Sequence, residues 1–193
     1  MDPMKIILKY YKPGTKAYKF LVEHSRAVTA KALEVAERVK KLHPELNPDK
    51  KFIEEAAMLH DIGIFLTNAP EIGCYGREPY VKHGVLGAEI LRREGFPKHA
   101  LVCERHVGAG ISKKYIEENN LPLPKKDFIP QTLEEKIICF ADKFFSKDPR
   151  KKGEKTPEEI KRELAQFSKE EAERFEEWLR FFGYETNNLN RIK

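Results

Sequence analysis

The amino-acid sequence predicts an all-α protein. Apolar residues recur at steps of three and four through most of its 193 residues, which is the spacing of one buried helix face. Prolines, glycines and capping residues divide the chain into segments of helical length. No segment alternates apolar and polar residues as a half-buried strand would. A chain of this length is an ordinary size for one domain, so we expect a single helical bundle.

The apolar pattern places the expected helices in order along the chain. Most begin after a capping residue or a proline and end at a glycine or a proline; Thr132 followed by Glu135, for example, suggests a capping box. The expected helices lie over residues 21–42, 49–63, 81–95, 97–107, 132–147, 156–167 and 168–184. The segments 67–80 and 112–131 carry several prolines without a period, and we expect surface loops there. The first of these loops is long enough to act as a lid.

Composition limits the classes of partner. The net charge of +5 comes from 36 basic and 31 acidic residues, which suits an anionic small molecule without requiring nucleic acid. The basic stretch SKDPRKKGEK, residues 146–155, is expected to be a solvated loop. No apolar run approaches the ~20 residues that span a bilayer, and the N-terminus lacks the long apolar region of a secretory signal. We therefore expect a cytoplasmic protein without membrane partners.

The cysteines and the C-terminal segment add two further expectations. The three cysteines, Cys74, Cys103 and Cys139, are far apart and form no CxxC pair. They predict neither a disulfide framework nor a thiolate metal site. The amphipathic C-terminal segment suits a homodimer interface as well as the core of its own chain.

Six ionisable residues interrupt the predicted buried faces. They lie at or beside apolar stripes, or at the ends, of five different expected helices, and they are His24, His60, Asp61, His83, His106 and Asp142. A buried carboxylate is costly unless it is paired, hydrogen-bonded or bound to a metal. Neutral imidazole and carboxylate are ligands of Zn, Fe, Mn, Co and Ni. We therefore expect the helices to converge on shared divalent metal ions.

Each of these residues also has an ordinary interpretation. A lone buried histidine is more often a hydrogen-bonded core residue than a ligand, and a His-Asp pair occurs by chance in many proteins. His43 and His99 stand beside proline-flanked polar sequence and are expected at the surface. A histidine, then a His-Asp doublet, then a distant aspartate on a helical chain is a much rarer combination. The combination favours a metal site.

At these residues the sequence resembles the HD-domain metal-dependent phosphohydrolases. The resemblance runs through VEHSRAV, AAMLHDIG, HGVLGAEIL and EKIICFADKFF, over residues 18–147. It implies an HD-domain helical bundle as a single domain over residues 1–193, with its core at 18–147 and a C-terminal helical extension over 148–193. The ligands of that family match His24, His60, Asp61 and Asp142.

The resemblance also implies two metal ions. Members with two metals add two histidines between the doublet and the late aspartate, where His83 and His106 lie. HGVLGAEIL, ERHVGAG and EKIICFADK are similar to the dinuclear subgroup that includes symmetrical diadenosine tetraphosphate hydrolases. In that pattern Asp61 bridges the two ions. The metal itself stays open among Fe, Mn, Co, Ni, Zn and Mg.

Three departures from relatives limit what can be transferred. Ile64 stands where many HDIG proteins have a lysine. The cyclic-di-GMP phosphodiesterases have paired histidines followed later by Gly-Tyr-Pro, and this motif is missing because Val107 follows His106. The diadenosine hydrolases have a Pro and an Arg near the phosphates, after the late aspartate. The nearest match in this sequence, Asp148-Pro149-Arg150 (148–150), is displaced along the chain. Specificity for a dinucleotide is therefore left open.

The implied function is hydrolysis of a nucleotide phosphate ester or phosphoanhydride by a hydroxide that bridges two metals. Asp61 would bridge the two metals, and Lys143, next to Asp142, would stabilise the negative charge that develops on the phosphoryl oxygens. Further candidates for contact with the substrate phosphate are Arg26, Arg77, Lys82, Arg105, Lys113, Lys114 and Arg150. Two alternatives stay open: a mononuclear 5′-nucleotidase-like hydrolase, and a non-catalytic nucleotide-binding regulatory module with a structural metal.

Overall fold

Helices form wherever the sequence has its three- and four-residue apolar spacing. The computed structural model describes residues 1–151 and 153–184. Its helices are α1 (Pro3–Tyr10), α2 (Lys16–Leu42), α3 (Lys50–Leu59), α4 (His83–Arg93), α5 (Pro97–Arg105), α6 (Lys113–Glu118), α7 (Leu133–Asp142), α8 (Pro157–Phe167) and α9 (Lys169–Phe181). The all-α prediction is confirmed. None of the helices in these two ranges is long and apolar enough to cross a bilayer.

The segment 67–80 is more ordered than the loop that the sequence predicts. Strands β1 (Asn68–Ala69) and β2 (Cys74–Tyr75) pair antiparallel, and short 3₁₀ turns lie before, between and after them. Gly73, between the strands, has a φ of 81°, a backbone conformation that glycine adopts without strain. The role of this segment as a lid stays a prediction.

Helix boundaries differ from the predicted ones where capping overrides the apolar pattern. The side chain of Thr15 accepts a hydrogen bond from the N–H of Tyr18, so α2 begins at Lys16 rather than at residue 21. Leu42, at the end of that helix, is 52% exposed and does not continue the buried stripe. α3 ends at Leu59, four residues before the predicted stop.

Three local predictions were wrong. α1 and α6 form in segments for which the sequence pattern gave no helix, and α6 lies inside the predicted loop 112–131. His99 is buried and donates a hydrogen bond to Glu55, at 3.1 Å, instead of lying at the surface. The side chain of Thr132 does cap α7, but Glu135 accepts from the N–H of Gln131 and does not complete a capping box.

The C-terminal helices α8 and α9 share a hydrophobic core with α2, α3 and α7. At its centre Phe140 of α7 stacks on Phe175 of α9, with ring centroids 5.1 Å apart, and meets Phe182 edge-on at 4.9 Å. All three rings are fully buried. The division into a core at 18–147 and an extension over 148–193 stays a prediction, and residues 185–193 lie outside the described ranges.

Because of this shared core, we expect the C-terminal helices to unfold together with the rest of the chain. Phe175→Ala should lower the free energy of unfolding by about 3–5 kcal/mol, since it leaves a cavity in a packed aromatic cluster. Urea unfolding is followed by far-UV circular dichroism, which reports all helices, and by fluorescence of Trp178, which lies on α9. The two transitions should coincide. Leu8→Ala, at an exposed position, is the control and should change stability little. An earlier Trp178 transition would contradict the shared core.

Candidate metal centre

Five helices deliver the six predicted ligands to one buried place. His24 lies within α2, His60 and Asp61 form the turn after α3, His83 begins α4, His106 follows α5, and Asp142 ends α7. All six are buried. Their ring nitrogens and carboxylate oxygens form two groups within which every ligand atom lies no more than 4.8 Å from the others: His24, His60, Asp61 and Asp142; and Asp61, His83 and His106.

The first group combines two imidazoles with two carboxylates. The Nε2 atom of His24 lies 2.9 Å from Oδ1 of Asp142 and 3.3 Å from Oδ2 of Asp61. The Nε2 atom of His60 lies 3.4 Å from the same two oxygens. Two nitrogens and two carboxylate oxygens that converge in this way are a suitable donor set for a divalent transition metal.

The second group uses the other oxygen of Asp61. Oδ1 of Asp61 lies 3.3 Å from Nε2 of His83 and 3.1 Å from Nε2 of His106, and these two nitrogens are 3.1 Å apart. Asp61 therefore presents Oδ2 to one pair of histidines and Oδ1 to the other. A carboxylate in this position can bridge two metal ions.

Local backbone contacts fix the orientation of three of the rings. His60, His83 and His106 each donate a hydrogen bond from Nδ1 to the backbone carbonyl three residues earlier, at 2.6 to 2.7 Å. This contact leaves Nε2 of each ring deprotonated and directed at the carboxylates when the ring is neutral. Such an outer contact orients a metal-binding histidine and selects its tautomer.

The protonation states of His106 and of the two aspartates suit metal binding, whereas His60 must lose a proton to bind a metal. Burial lowers the pKa of His60, but the charges of Asp61 and Asp142 outweigh it and raise that pKa to about 9. Burial lowers the pKa of His106 to about 3, so its imidazole is neutral at physiological pH. Burial raises the pKa of Asp61, but the positive charges of Lys147 and His60 outweigh it and hold that pKa well below its usual range. Lys143 and Lys147 likewise lower the pKa of Asp142. Neutral imidazole and ionised carboxylate are the forms that bind metals.

One ligand atom of the first group makes no hydrogen bond. Three buried side-chain polar atoms of the described residues have no hydrogen-bond partner, and Nε2 of His60 is the one among them that belongs to this group. A buried polar atom without a partner costs roughly 1–3 kcal/mol, so such atoms usually have an occupant nearby. A cation between the two histidines and two carboxylates of the first group would satisfy it, so these residues fit a divalent metal ion.

Gly63 allows the doublet to approach α4. A Cβ atom at residue 63 would collide with the backbone carbonyl of His83 and with the backbone of Gly87. The φ of Gly63 is −82°, which any residue can adopt, so close approach is the reason for glycine here. This contact sets the distance between His83 and the Asp61 turn.

The C-terminal helix α9 holds the loop that follows His106. The buried carboxylate of Glu171 accepts a hydrogen bond from the N–H of Ala109, at 2.9 Å. The guanidinium of Arg174 donates to the carbonyls of Ala109 and Gly110, at 2.8 and 2.9 Å. The predicted extension thus supports a segment three residues from a candidate ligand.

Two lysines lie against the carboxylates, and the sequence indicated only one of them. Lys143 donates to Oδ2 of Asp142, at 2.8 Å, and to the carbonyl of His106, at 3.3 Å. Lys147 pairs with Asp61 and lies 2.9 Å from Nε2 of His24. It belongs to the stretch 146–155 expected to be solvated, yet its side chain is only 27% exposed. Its position five residues after Asp142 was the only available signal.

The seven other predicted cations lie elsewhere. None of them lines the cavity that adjoins the two ligand groups. Arg26 lines a second cavity, beside α1, while Arg105 pairs with Glu135 and Arg150 pairs with Asp148. Lys82, Lys113 and Lys114 each pair with a glutamate four residues away on the chain, and Arg77 is exposed. Their contact with a substrate phosphate stays a prediction.

Comparison with known families identifies the fold. A family model described as the HD domain matches residues 21–146, which is more than half of the chain. The chain belongs to the HD domain family. This confirms the resemblance drawn from the motifs, while membership of the dinuclear diadenosine tetraphosphate hydrolase subgroup stays a prediction.

Two curated proteins are similar to this chain in sequence. The chain is 44% identical over 123 residues to an uncharacterized protein of Methanocaldococcus jannaschii, across 63% of this chain and 64% of that protein. It is 34% identical over 143 residues to the tRNA (cytidine(56)-2′-O)-methyltransferase of Thermoplasma volcanium, across 74% of this chain and 36% of that protein. The chain therefore spans less than two thirds of the length of these curated relatives.

A solved structure shares the HD domain fold. The crystal structure of the L. monocytogenes phosphodiesterase PgpH HD domain matches with a TM-score of 0.50 and 17% identity, across 94% of this chain and 96% of that one. At this level of identity, the likeness shows the fold alone.

We expect Gly63→Ala to separate the two ligand groups. The added methyl group must push α4 away from the turn, which moves His83 from Asp61 and weakens metal binding at the second group. Calorimetric titration with Mn²⁺ should show one class of site lost or reduced at least tenfold in affinity. Gly95→Ala is the comparison, because it adds strain at a φ of 87° with open space around it. Unchanged metal affinity in Gly63→Ala would show that this close approach does not position His83.

Proposed function

We propose that this HD domain is a divalent-metal-dependent phosphohydrolase that cleaves a nucleotide phosphate ester or phosphoanhydride. One observation carries the proposal: the buried carboxylate of Asp61 directs its two oxygens at two separate pairs of histidines. Two divalent ions held by these residues would lower the pKa of a bound water and stabilise charge on the phosphoryl oxygens. The identity of the divalent metal that supports hydrolysis is determined by the experiment below.

The protein groups have separate tasks in this proposal. His24, His60 and Asp142 would hold one ion, His83 and His106 the other, and Asp61 both. In the overall reaction water adds to phosphorus, the bond from phosphorus to the leaving oxygen breaks, and a proton reaches that oxygen. The substrate phosphate is anionic and would be oriented by cationic side chains beside the ligands.

Lys143 is the best placed of these cations. An ammonium carries three N–H groups, and within the described residues two of them donate to Asp142 and to the carbonyl of His106. These bonds hold the head group beside both ligand groups, and Lys143 lines the cavity, where its third N–H could donate to a ligand. Lys147, which lines the same cavity, is the second candidate. A preorganised donor of this kind typically contributes about 10²–10³-fold to kcat.

The mononuclear 5′-nucleotidase-like enzyme is the first alternative. It would use only His24, His60, Asp61 and Asp142. The close contact of His83 and His106 with the second oxygen of Asp61 favours the dinuclear proposal. The regulatory module with a structural metal is the second alternative, and the proximity of two lysines to the ligands favours catalysis over it.

The test is a hydrolysis panel. The full chain, loaded in turn with Mn, Co, Fe, Ni, Zn or Mg, is assayed with nucleoside mono-, di- and triphosphates and dinucleoside polyphosphates. We expect hydrolysis with at least one metal, detected as released phosphate, pyrophosphate or a shorter nucleotide. Asp61→Ala should reduce it to background, and Lys143→Met and Lys147→Met should lower kcat about 10²-fold. Lys169→Met, at an exposed lysine on α9 outside the cavity lining, is the matched control and should retain full activity.

The same panel separates the alternatives. Loss of activity in His83→Ala, with one of two metal equivalents lost, supports the dinuclear enzyme. Full activity in His83→Ala with one metal per chain would indicate the mononuclear form. Tight nucleotide binding without turnover under any metal would indicate the regulatory module and contradict the proposed activity.

A further inference from the structure

A cavity of about 570 Å³ opens beside the ligand groups. Its polar side includes His83, His106 and Asp142, together with the two lysines, Lys143 and Lys147. This volume is within the usual range of about 300–1,000 Å³ for small-molecule sites. A phosphate alone would leave most of the cavity unfilled, so the remaining walls bear on what the rest of the ligand is.

The rest of the cavity lining forms a largely apolar wall. It includes Val81 before α4, the segment that contains Tyr115 and Leu121, and helix α8 with Leu164 and Phe167, besides Tyr80, Val107, Ile111 and Phe145. Lys155 and Glu163 also line the cavity but pair with each other. The cavity therefore has a cationic, ligand-bearing side and an apolar side with aromatic rings.

Phe167 is the most unusual member of the apolar wall. It is the last residue of α8 and is 66% exposed, whereas Ile160 and Leu164 of the same helix are 1% and 6% exposed. Phe167 follows Leu164 by three residues, so the two side chains lie on neighbouring positions of one helix face. A large aromatic side chain left in water at the edge of a cavity gains free energy when a flat apolar group covers it.

We propose that this apolar wall, through Tyr115 and Phe167 among its aromatic residues, binds the base of a nucleotide whose phosphate lies at the ligand groups. The C-terminal helices then form part of the substrate site. The inference rests on the proposed function, because it assigns the phosphate end of the ligand to the metal centre. Base stacking on aromatic side chains tolerates different bases, since every base has a π face. The subsite should therefore accept both purines and pyrimidines.

A matched pair of probes tests the subsite. α,β-Methylene-ADP and α,β-methylene-CDP carry a nucleoside, and methylenediphosphonate carries only the two phosphorus groups; all three lack the hydrolysable P–O–P bond. Binding to the Mn²⁺-loaded full chain is measured by calorimetry. We expect both nucleotides to bind at least tenfold more tightly than methylenediphosphonate. Phe167→Ala and Tyr115→Ala should each weaken nucleotide binding about tenfold and leave methylenediphosphonate binding unchanged.

Phe181→Ala is the control, since Phe181 is an exposed aromatic residue of α9 outside the cavity lining. It should bind all three probes as the unmodified chain does. Equal affinity for nucleotides and methylenediphosphonate would overturn the subsite, and so would variants that weaken all three probes alike. Selective loss of nucleotide binding without any turnover would support the subsite while the proposed hydrolase fails. Hydrolysis of phosphate esters that lack a base as efficiently as nucleotides would overturn the subsite alone.

Discussion

The structure depends on one buried carboxylate that faces in two directions. Asp61 is inaccessible to solvent, and an ionised carboxylate in such a place requires strong partners on each oxygen. Four histidines and one lysine meet that requirement, two histidines on each side. Since these partners come from different helices, their convergence determines how the helix ends must pack. A site of this kind explains why ionisable residues interrupt otherwise apolar helix faces.

The surrounding fold holds that convergence through backbone contacts rather than through long side chains. Nδ1 bonds to carbonyls three residues earlier orient three of the imidazoles, and Gly63 lets the doublet turn touch the start of α4. Glu171 and Arg174 of α9 hold the backbone after His106. The C-terminal helices therefore act on the metal centre and on the wall of the adjoining cavity, besides packing on the central core through Phe175.

The sequence predicted what depends on local pattern and missed what depends on tertiary approach. Apolar spacing identified α8 almost to the residue but extended α7 five residues too far, and ionisable residues on buried faces identified the six side chains that the structure brings together. The start of α2 differs from the predicted one because the Thr15 side chain caps the helix, which the apolar pattern does not show. The end of α3 at Leu59 also differs from the predicted one. Lys147 was placed in a solvated loop, since its charge gives no sign that a turn after α7 directs it at Asp61. His99 was misplaced because its partner, Glu55, is distant in sequence.

The central claim is that Asp61 bridges two divalent ions. Crystals of the full chain grown with Mn²⁺ and measured for anomalous scattering at the manganese edge test it most directly. The account predicts two anomalous peaks about 3.5–4 Å apart, one on each side of the Asp61 carboxylate, with the His24 and His60 rings at one peak and the His83 and His106 rings at the other. Only one peak, or none, with Asp61 held by protein side chains alone, would contradict it.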